Sequence, residues 1–288
     1  MKQFFFMLCA TIVTSLLWSA EALAWGPGVH LALGTHLIAS LQHFSSGLAA
    51  VLSAYPDSFL YGCLSADILV GKGKKLSSTH CHSWDAGLRL LHSVREDTLK
   101  AYAYGYLTHL AADVIAHNYY VPNMLQLGMG KGKLSHVYIE MQADRNICFN
   151  KAELKAIMGN AQKHADKLLI DILQKPRFVF SLKKSLYRSG VALSRKQACG
   201  SSLDFLAQKS KNRDYPEYQD EMVALSIQLA VDCLHRLDRS VVMDYDPMGF
   251  ENLGVVKKSK SLHLKKAENV RPFFLPALNL MALESSVY

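Results

Sequence analysis

The chain has 288 residues, half of them hydrophobic and 19% charged, with a formal net charge of +8 and six cysteines. That length supports one large domain with a real core. Five scattered cysteines beyond residue 24 exclude a CxxC zinc knuckle and a disulfide scaffold, and their odd number leaves at least one thiol unpaired. The basic balance favours anionic partners such as phospholipid surfaces or nucleic acid, without choosing between them.

In chain order, residues 1–24 read as a secretory signal peptide. Lys2 gives the positive start, Phe4 to Trp18 an apolar core too short for a comfortable membrane span, and Ala22-Leu23-Ala24 the cleavage site. The remainder starts at Trp25, and export places it in the periplasm or outside the cell. Apolar residues then recur at helical period over Leu31 to Leu52, with a break near Ser45-Ser46-Gly47. Further helices are expected at Asp85 to Val94, Leu99 to Tyr120, Ser135 to Ile147, Lys151 to Gln174 and Glu217 to Leu237, the last opened by Pro216. Strand-like alternation is scarce, so the fold class is all-α. Glycine- and lysine-bearing loops lie at Gly71 to Lys75 and Gly128 to Lys133. From Tyr245 the pattern decays into short segments with Pro247, Pro272 and Pro276. The organisation read from this is a helical domain over 25–244 and a C-terminal extension over 245–288, packed on the body or partly loose.

Nine of the twelve histidines fall between His30 and His136. His109, Asp113 and His117 are spaced i, i+4 and i+8, so successive members are neighbours on one helix surface. Small and apolar residues fill the positions between them. Burying such groups without partners costs several kcal/mol, and a shared metal ion satisfies all three at once. His136 and Glu140 repeat the i, i+4 spacing. Neutral imidazole and carboxylate are the ligands zinc takes in catalytic sites, where a position stays open for water. Upstream, His80 and His82 precede a helix and Asp67 follows a helix-like run. An isolated HxxxE pair is a weak signal. Two such helices close in sequence, one extended by a third ligand, form a stronger one. His43, His92, His164, His235 and His263 have no comparable context and read as surface or core residues.

The order of these elements resembles the bacterial zinc-dependent phospholipase C family, whose fold is shared with the fungal single-strand nucleases. The resemblance covers about residues 25 to 145 and implies a multi-helix bundle built around a metal cluster. Members begin their mature chain with a tryptophan whose amine and carbonyl bind zinc, and Trp25 stands at the expected cleavage point in Trp-Gly-Pro-Gly-Val-His. Carried over, the family pattern assigns Trp25, His30 and Asp113 to one zinc. Asp67, His82, His109 and the bridging Asp113 go to a second, and His117, His136 and Glu140 to a third. His30 competes with His36, and is preferred on its five-residue distance from Trp25. His80 competes with His82, which is preferred because His-Ser-Trp-Asp resembles a family step. The family places its next histidine six residues beyond the bridging aspartate, where this chain has Tyr119, and His117 comes only four residues on.

What the resemblance implies is an exported phosphodiesterase acting on phospholipids through two or three zinc ions and an activated water, with Asp67 as the carboxylate that orients or deprotonates that water. Contact with a membrane surface, a monomeric state and no stable nucleic-acid complex are expected. The alternatives are a nuclease of the related branch, stacking bases on Trp84, Tyr119 or Tyr120, and an envelope protein that binds zinc without turnover.

Overall fold

The structure, a computed structural model, describes residues 25–69, 79–129, 133–159, 162–193, 216–258 and 272–282. The expected signal peptide, both lysine-bearing loops in their greater part and Cys199 lie outside the described residues. Among those described there is no β-strand, and the all-α class holds. No described helix is long and apolar enough to cross a membrane.

Eleven helices carry the site and its supports. They are α1 (Pro27–Ala39), α2 (Ser46–Ala54), α3 (Pro56–Ser65), α4 (Trp84–His92), α5 (Asp97–Ile115), α6 (Lys133–Arg145), α7 (Lys151–Ile157), α8 (Lys163–Leu173), α9 (Arg177–Leu193), α10 (Pro216–Arg236) and α11 (Phe250–Lys258). Proline at the first turn of α1 and α3 suits a position whose N–H would lack a helical partner anyway. The break expected near Ser45 is real: a 3-10 turn, Leu41–His43, separates α1 from α2.

The middle of the molecule is α5, buried almost without interruption from Ala101 onward. It is hydrophobic nearly all round, as a helix enclosed by others should be. Helices α3, α4 and α10 pack around it. The crossing with α3 is unusually close. A Cβ on Gly62 would overlap the Tyr102 carbonyl, and one on Gly105 would overlap the Phe59 carbonyl. Only glycine on both helices allows the approach, and it brings the end of α3, and Asp67 just beyond it, against the middle of α5.

Two expectations are corrected here. Residues 151–174 form two helices, with α7 ending before Met158 and Gly159 and α8 starting at Lys163. The Asn150 side chain caps α7 by accepting the N–H groups of Ala152 and Glu153, and this short helix has room for only two turns. Helix α9, behind Pro176, was not anticipated. Its outward face mixes apolar and basic residues and masks the inward stripe.

From the C-terminal extension, Asn123 accepts the N–H groups of Phe273 and Phe274 at 2.9 and 2.8 Å and donates to the Phe274 carbonyl at 2.8 Å. Residues 272–274 are thereby fastened to the turn beyond α5.

Candidate metal centre

Asp113 is the hub. It lies in the last turns of α5, fully buried, one turn beyond His109. The His109 Nε2 stands 3.1 Å from Asp113 Oδ2, His82 Nε2 stands 3.2 Å from the same oxygen, and His30 Nε2 stands 3.3 Å from Oδ1. Asp67 joins from the 3-10 turn after α3, with Oδ1 at 3.2 Å from His82 Nε2 and 3.7 Å from His109 Nε2. One ligand atom from each of Asp67, His82, His109 and Asp113 falls within 4.8 Å of the others. Four segments separated by up to 83 residues, from His30 to Asp113, thus converge at one point.

The imidazoles are oriented from behind. His109 Nδ1 donates to the Cys63 carbonyl at 2.8 Å, because a carbonyl can only accept. In the neutral ring, Nε2 then keeps its lone pair facing inward, the arrangement that metal-binding histidines use. His82 Nδ1 lies 3.2 Å from Cys81 Sγ, which leaves its Nε2 facing His109 Nε2 at 3.1 Å. The rings of His30 and His109 are stacked at 3.9 Å between centroids.

His30 and His82 are buried at the hub, while His36 is exposed on the far side of α1. His80 is half-buried, and its Nδ1 accepts the His82 N–H at 3.1 Å. Burial first, then His82 and Lys175, pull the His80 pKa down to about 4. Its ring is therefore neutral and able to hold the loop that aims His82.

Beyond Asp113 the backbone changes register. Residues Ala116–Tyr120 form a π-helical turn. This extra residue per turn re-aims the side chains beyond it. His117 Nε2 comes to 4.0 Å from Asp113 Oδ2, and its ring meets His136 edge-on at 5.8 Å. The turn is braced from outside. Asn118 Nδ2 donates to the Val114 and Asp246 carbonyls, and Asn252 Nδ2 donates to the Asn118 carbonyl. Gly249, at φ +56, packs directly on the His117 carbonyl, where a side chain would collide. His136 and Glu140 are buried on α6, one turn apart.

Trp25 is fully buried. It stacks on Tyr120 at 4.6 Å and donates from Nε1 to Ser226 Oγ at 3.2 Å. Its position just before α1 is set by Asp144 of α6, whose carboxylate accepts the N–H groups of Gly28 and Val29 at 3.0 and 2.9 Å. That bond satisfies free donors and places a negative charge at the positive end of α1.

Two contributors were missed in the sequence. Asp144 continues the i, i+4 series His136, Glu140, Asp144 and could have been found from it. Tyr187 of α9 had no local signal. Its ring is half-buried, but its hydroxyl oxygen is out of solvent and has no hydrogen-bond partner among the described residues. Burial, and after it the carboxylates of Asp67, Asp144, Asp113 and Glu140, hold that hydroxyl well above the usual tyrosine range.

The charges show what the cluster needs. Burial pushes the Glu140 carboxyl well above the usual carboxylate range, and Asp67, Asp113 and Asp144 push it further. Burial and then His109 lower the His30 pKa. Burial alone would raise Asp113, but His109, His30 and His82 outweigh it and hold its carboxyl well below the usual range. Among the described residues, carboxylate oxygens of Asp67 and Asp113 face imidazole nitrogens, and Glu140 Oε1 has no hydrogen-bond partner. Buried carboxylates facing buried imidazole nitrogens fit divalent metal ions in charge and in donor chemistry.

The four described cysteines, Cys63, Cys81, Cys148 and Cys233, are free thiols.

A family model described as zinc-dependent phospholipase C matches residues 29–187, more than half of the chain. The match begins after Trp25 and extends past α6 to include Tyr187. No curated protein and no solved structure matches the chain.

Proposed function

The chain belongs to the zinc-dependent phospholipase C family, a family of hydrolases, and from that premise we propose that it is an exported phosphodiesterase hydrolysing phospholipids with two or three zinc ions. The observation that carries the reading is the sharing of Asp113 by three imidazoles, with Asp67 completing the ring.

His30 and Asp113 would hold one ion, together with the amine and carbonyl of Trp25 once residues 1–24 are removed. Asp67, His82, His109 and Asp113 would hold the second, and His117, His136 and Glu140 the third. Zinc held by these residues would neutralise phosphate oxygens and bring the pKa of a bound water towards neutrality. Asp67 would then receive the proton of the attacking water on a carboxylate oxygen. Tyr187 would donate a hydrogen bond from its hydroxyl to a phosphate oxygen as negative charge develops, and the proton taken up by Asp67 would pass through water to the leaving-group oxygen. Trp25, Tyr120 and Tyr218 form a continuous aromatic stack.

The aromatic residues weigh against the nuclease reading. Tyr119 and Tyr120 are buried, with Tyr120 between Trp25 and Tyr218, and Trp84 Nε1 donates to the Tyr245 carbonyl at 2.8 Å. All three are packing elements, which leaves no base-stacking platform among them.

The test uses full chain made in an exporting host and purified without chelator. Native mass spectrometry should show a chain starting at Trp25 with two or three zinc ions. The same protein should hydrolyse phosphatidylcholine and leave single-stranded DNA intact. A zinc-loaded chain that cleaves DNA and no lipid would replace this reading with the nuclease one. A chain with zinc and no turnover on either would make the centre structural.

A further inference from the structure

Helix α9 (Arg177–Leu193) presents three different faces, separated by the 100° step between residues. Phe180, Lys183 and Tyr187 point inward. Phe180 is buried, Lys183 Nζ donates to the Leu69 carbonyl at 3.2 Å, two residues from Asp67, and the Tyr187 hydroxyl is out of solvent. Arg177, Lys184 and Arg188 lie along a second face. With Lys163, Lys167 and Asp166 of α8 they line a cleft of about 590 Å³. Of these five cations only Lys184 is ion-paired among the described residues, to Asp166 at 2.6 Å. The third face carries Phe178, Val179 and Leu182, turned outward. Phe178 is 77% exposed and Leu182 50% exposed.

An inward stripe explains why α9 is part of the fold. It does not explain an apolar stripe on the opposite side, which leaves large side chains in water beside four cations that have no ion pair among the described residues. Isolated exposed apolar residues are ordinary, but an apolar strip one helical turn long, continuous with a basic cleft on the same helix, is the pattern of a helix that lies in a lipid–water interface. Apolar side chains enter the boundary between headgroups and acyl chains, while lysine and arginine meet anionic headgroups.

We propose that α9 is the membrane-seating helix of this protein: Phe178, Val179 and Leu182 insert into an anionic phospholipid surface while Lys163, Lys167, Arg177 and Arg188 bind its headgroups. The cleft is separate from the metal centre, and α9 links the two, since its inner face holds the Asp67 turn and carries Tyr187. Charge complementarity requires an anionic occupant, and the choice of a lipid surface among anionic partners rests on the phospholipase reading.

The experiment is sedimentation of the full, zinc-loaded chain with vesicles of phosphatidylcholine alone and of phosphatidylcholine mixed with phosphatidylglycerol. The wild-type chain should bind the mixed vesicles more tightly, and added salt should weaken that binding. Phe178→Asp with Leu182→Asp, and separately Lys167→Glu with Arg188→Glu, should each lower binding to mixed vesicles by more than about tenfold. Both double variants should keep wild-type hydrolysis of a short-chain, monomeric phosphatidylcholine. Equal binding by wild type and both variants overturns the proposal, as does a wild type that ignores anionic vesicles. So does a wild-type dimer that the apolar pair makes monomeric without loss of vesicle binding, since a second copy would then cover the face. Vesicle binding as expected, with no hydrolysis of any phosphodiester, would remove the phospholipase reading and leave the seating helix standing.

Discussion

Asp144 closes the N-terminus of α1 from 115 residues away, with Oδ1 accepting the Val29 N–H at 2.9 Å. The same carboxylate takes the Gly28 N–H through Oδ2 at 3.0 Å. Helix α6, which carries His136 and Glu140, is thereby tied to the helix that carries His30 and positions Trp25.

Asp144→Ala should therefore cost stability and metal together. Loss of a charged cap at a partly buried helix end is worth about 1–2 kcal/mol. Urea unfolding should show that loss. Zinc analysis should show fewer ions per chain, because His30 and Trp25 are no longer held. Unchanged zinc content would mean that the cap serves stability alone.

Chelation should unmask the repulsion among Asp67, Asp113 and Glu140. A ligand present at a thousand times its Kd stabilises the folded state by about 4 kcal/mol. For a chain of this size that corresponds to a fall in Tm of roughly 10 °C on zinc removal. In Asp113→Asn, the shared ligand of the hub is gone, so Tm should respond little to chelator. Scanning calorimetry with and without chelator reads both.

Removing only the hydroxyl of Tyr187 tests its proposed donation to the phosphate. Tyr187→Phe should lower kcat by roughly a hundredfold, the loss seen when one preorganised donor is removed. Zinc content and Tm should stay at wild-type values, since the hydroxyl has no hydrogen-bond partner among the described residues. A fall in zinc content would reassign Tyr187 to holding the site together.

Alkaline stability depends on the buried tyrosines. Burial pushes the Tyr218 hydroxyl up to about 12, and the hydrogen bond from Asn123 offsets only part of this. The folded-state pKa is above the unfolded value of about 10, so the contribution is complete below pH 10 and is lost as pH rises towards 12. Unfolding free energy should fall across that window, and Tyr218→Phe should flatten the fall. Denaturant titrations at several alkaline pH values measure the slope.

The helical stripes were legible because a helix is a local object. With 3.6 residues per turn, the spacing of His109 to Asp113 and of His136 to Glu140 puts each pair on one face whatever surrounds it. The break before α2 and the opening of α10 at Pro216 were equally local. The split between α7 and α8 was missed because the apolar pattern runs through it, and α9 because its outward apolar face confuses the period. His117 shows the limit within a single helix. Its four-residue distance from Asp113 is an α-helical spacing, yet the backbone there is a π turn held by Asn118, Asn252 and Gly249.

By itself, then, the sequence determined a helical chain with two histidine–carboxylate faces, because periodicity and ligand type are properties of short segments. Tertiary structure decided which early histidine reaches the hub, which of His80 and His82 points inward, and that Asp67 arrives at all. It also buried the hydroxyl of Tyr187, which lies far along the chain from Glu140, the last residue whose spacing marked it for the site. Those outcomes depend on the Gly62–Gly105 crossing of α3 with α5, on the Asp144 bridge to α1 and on the docking of α9. Each is a contact between segments far apart in the chain, and side-chain spacing carries no information about where such segments meet.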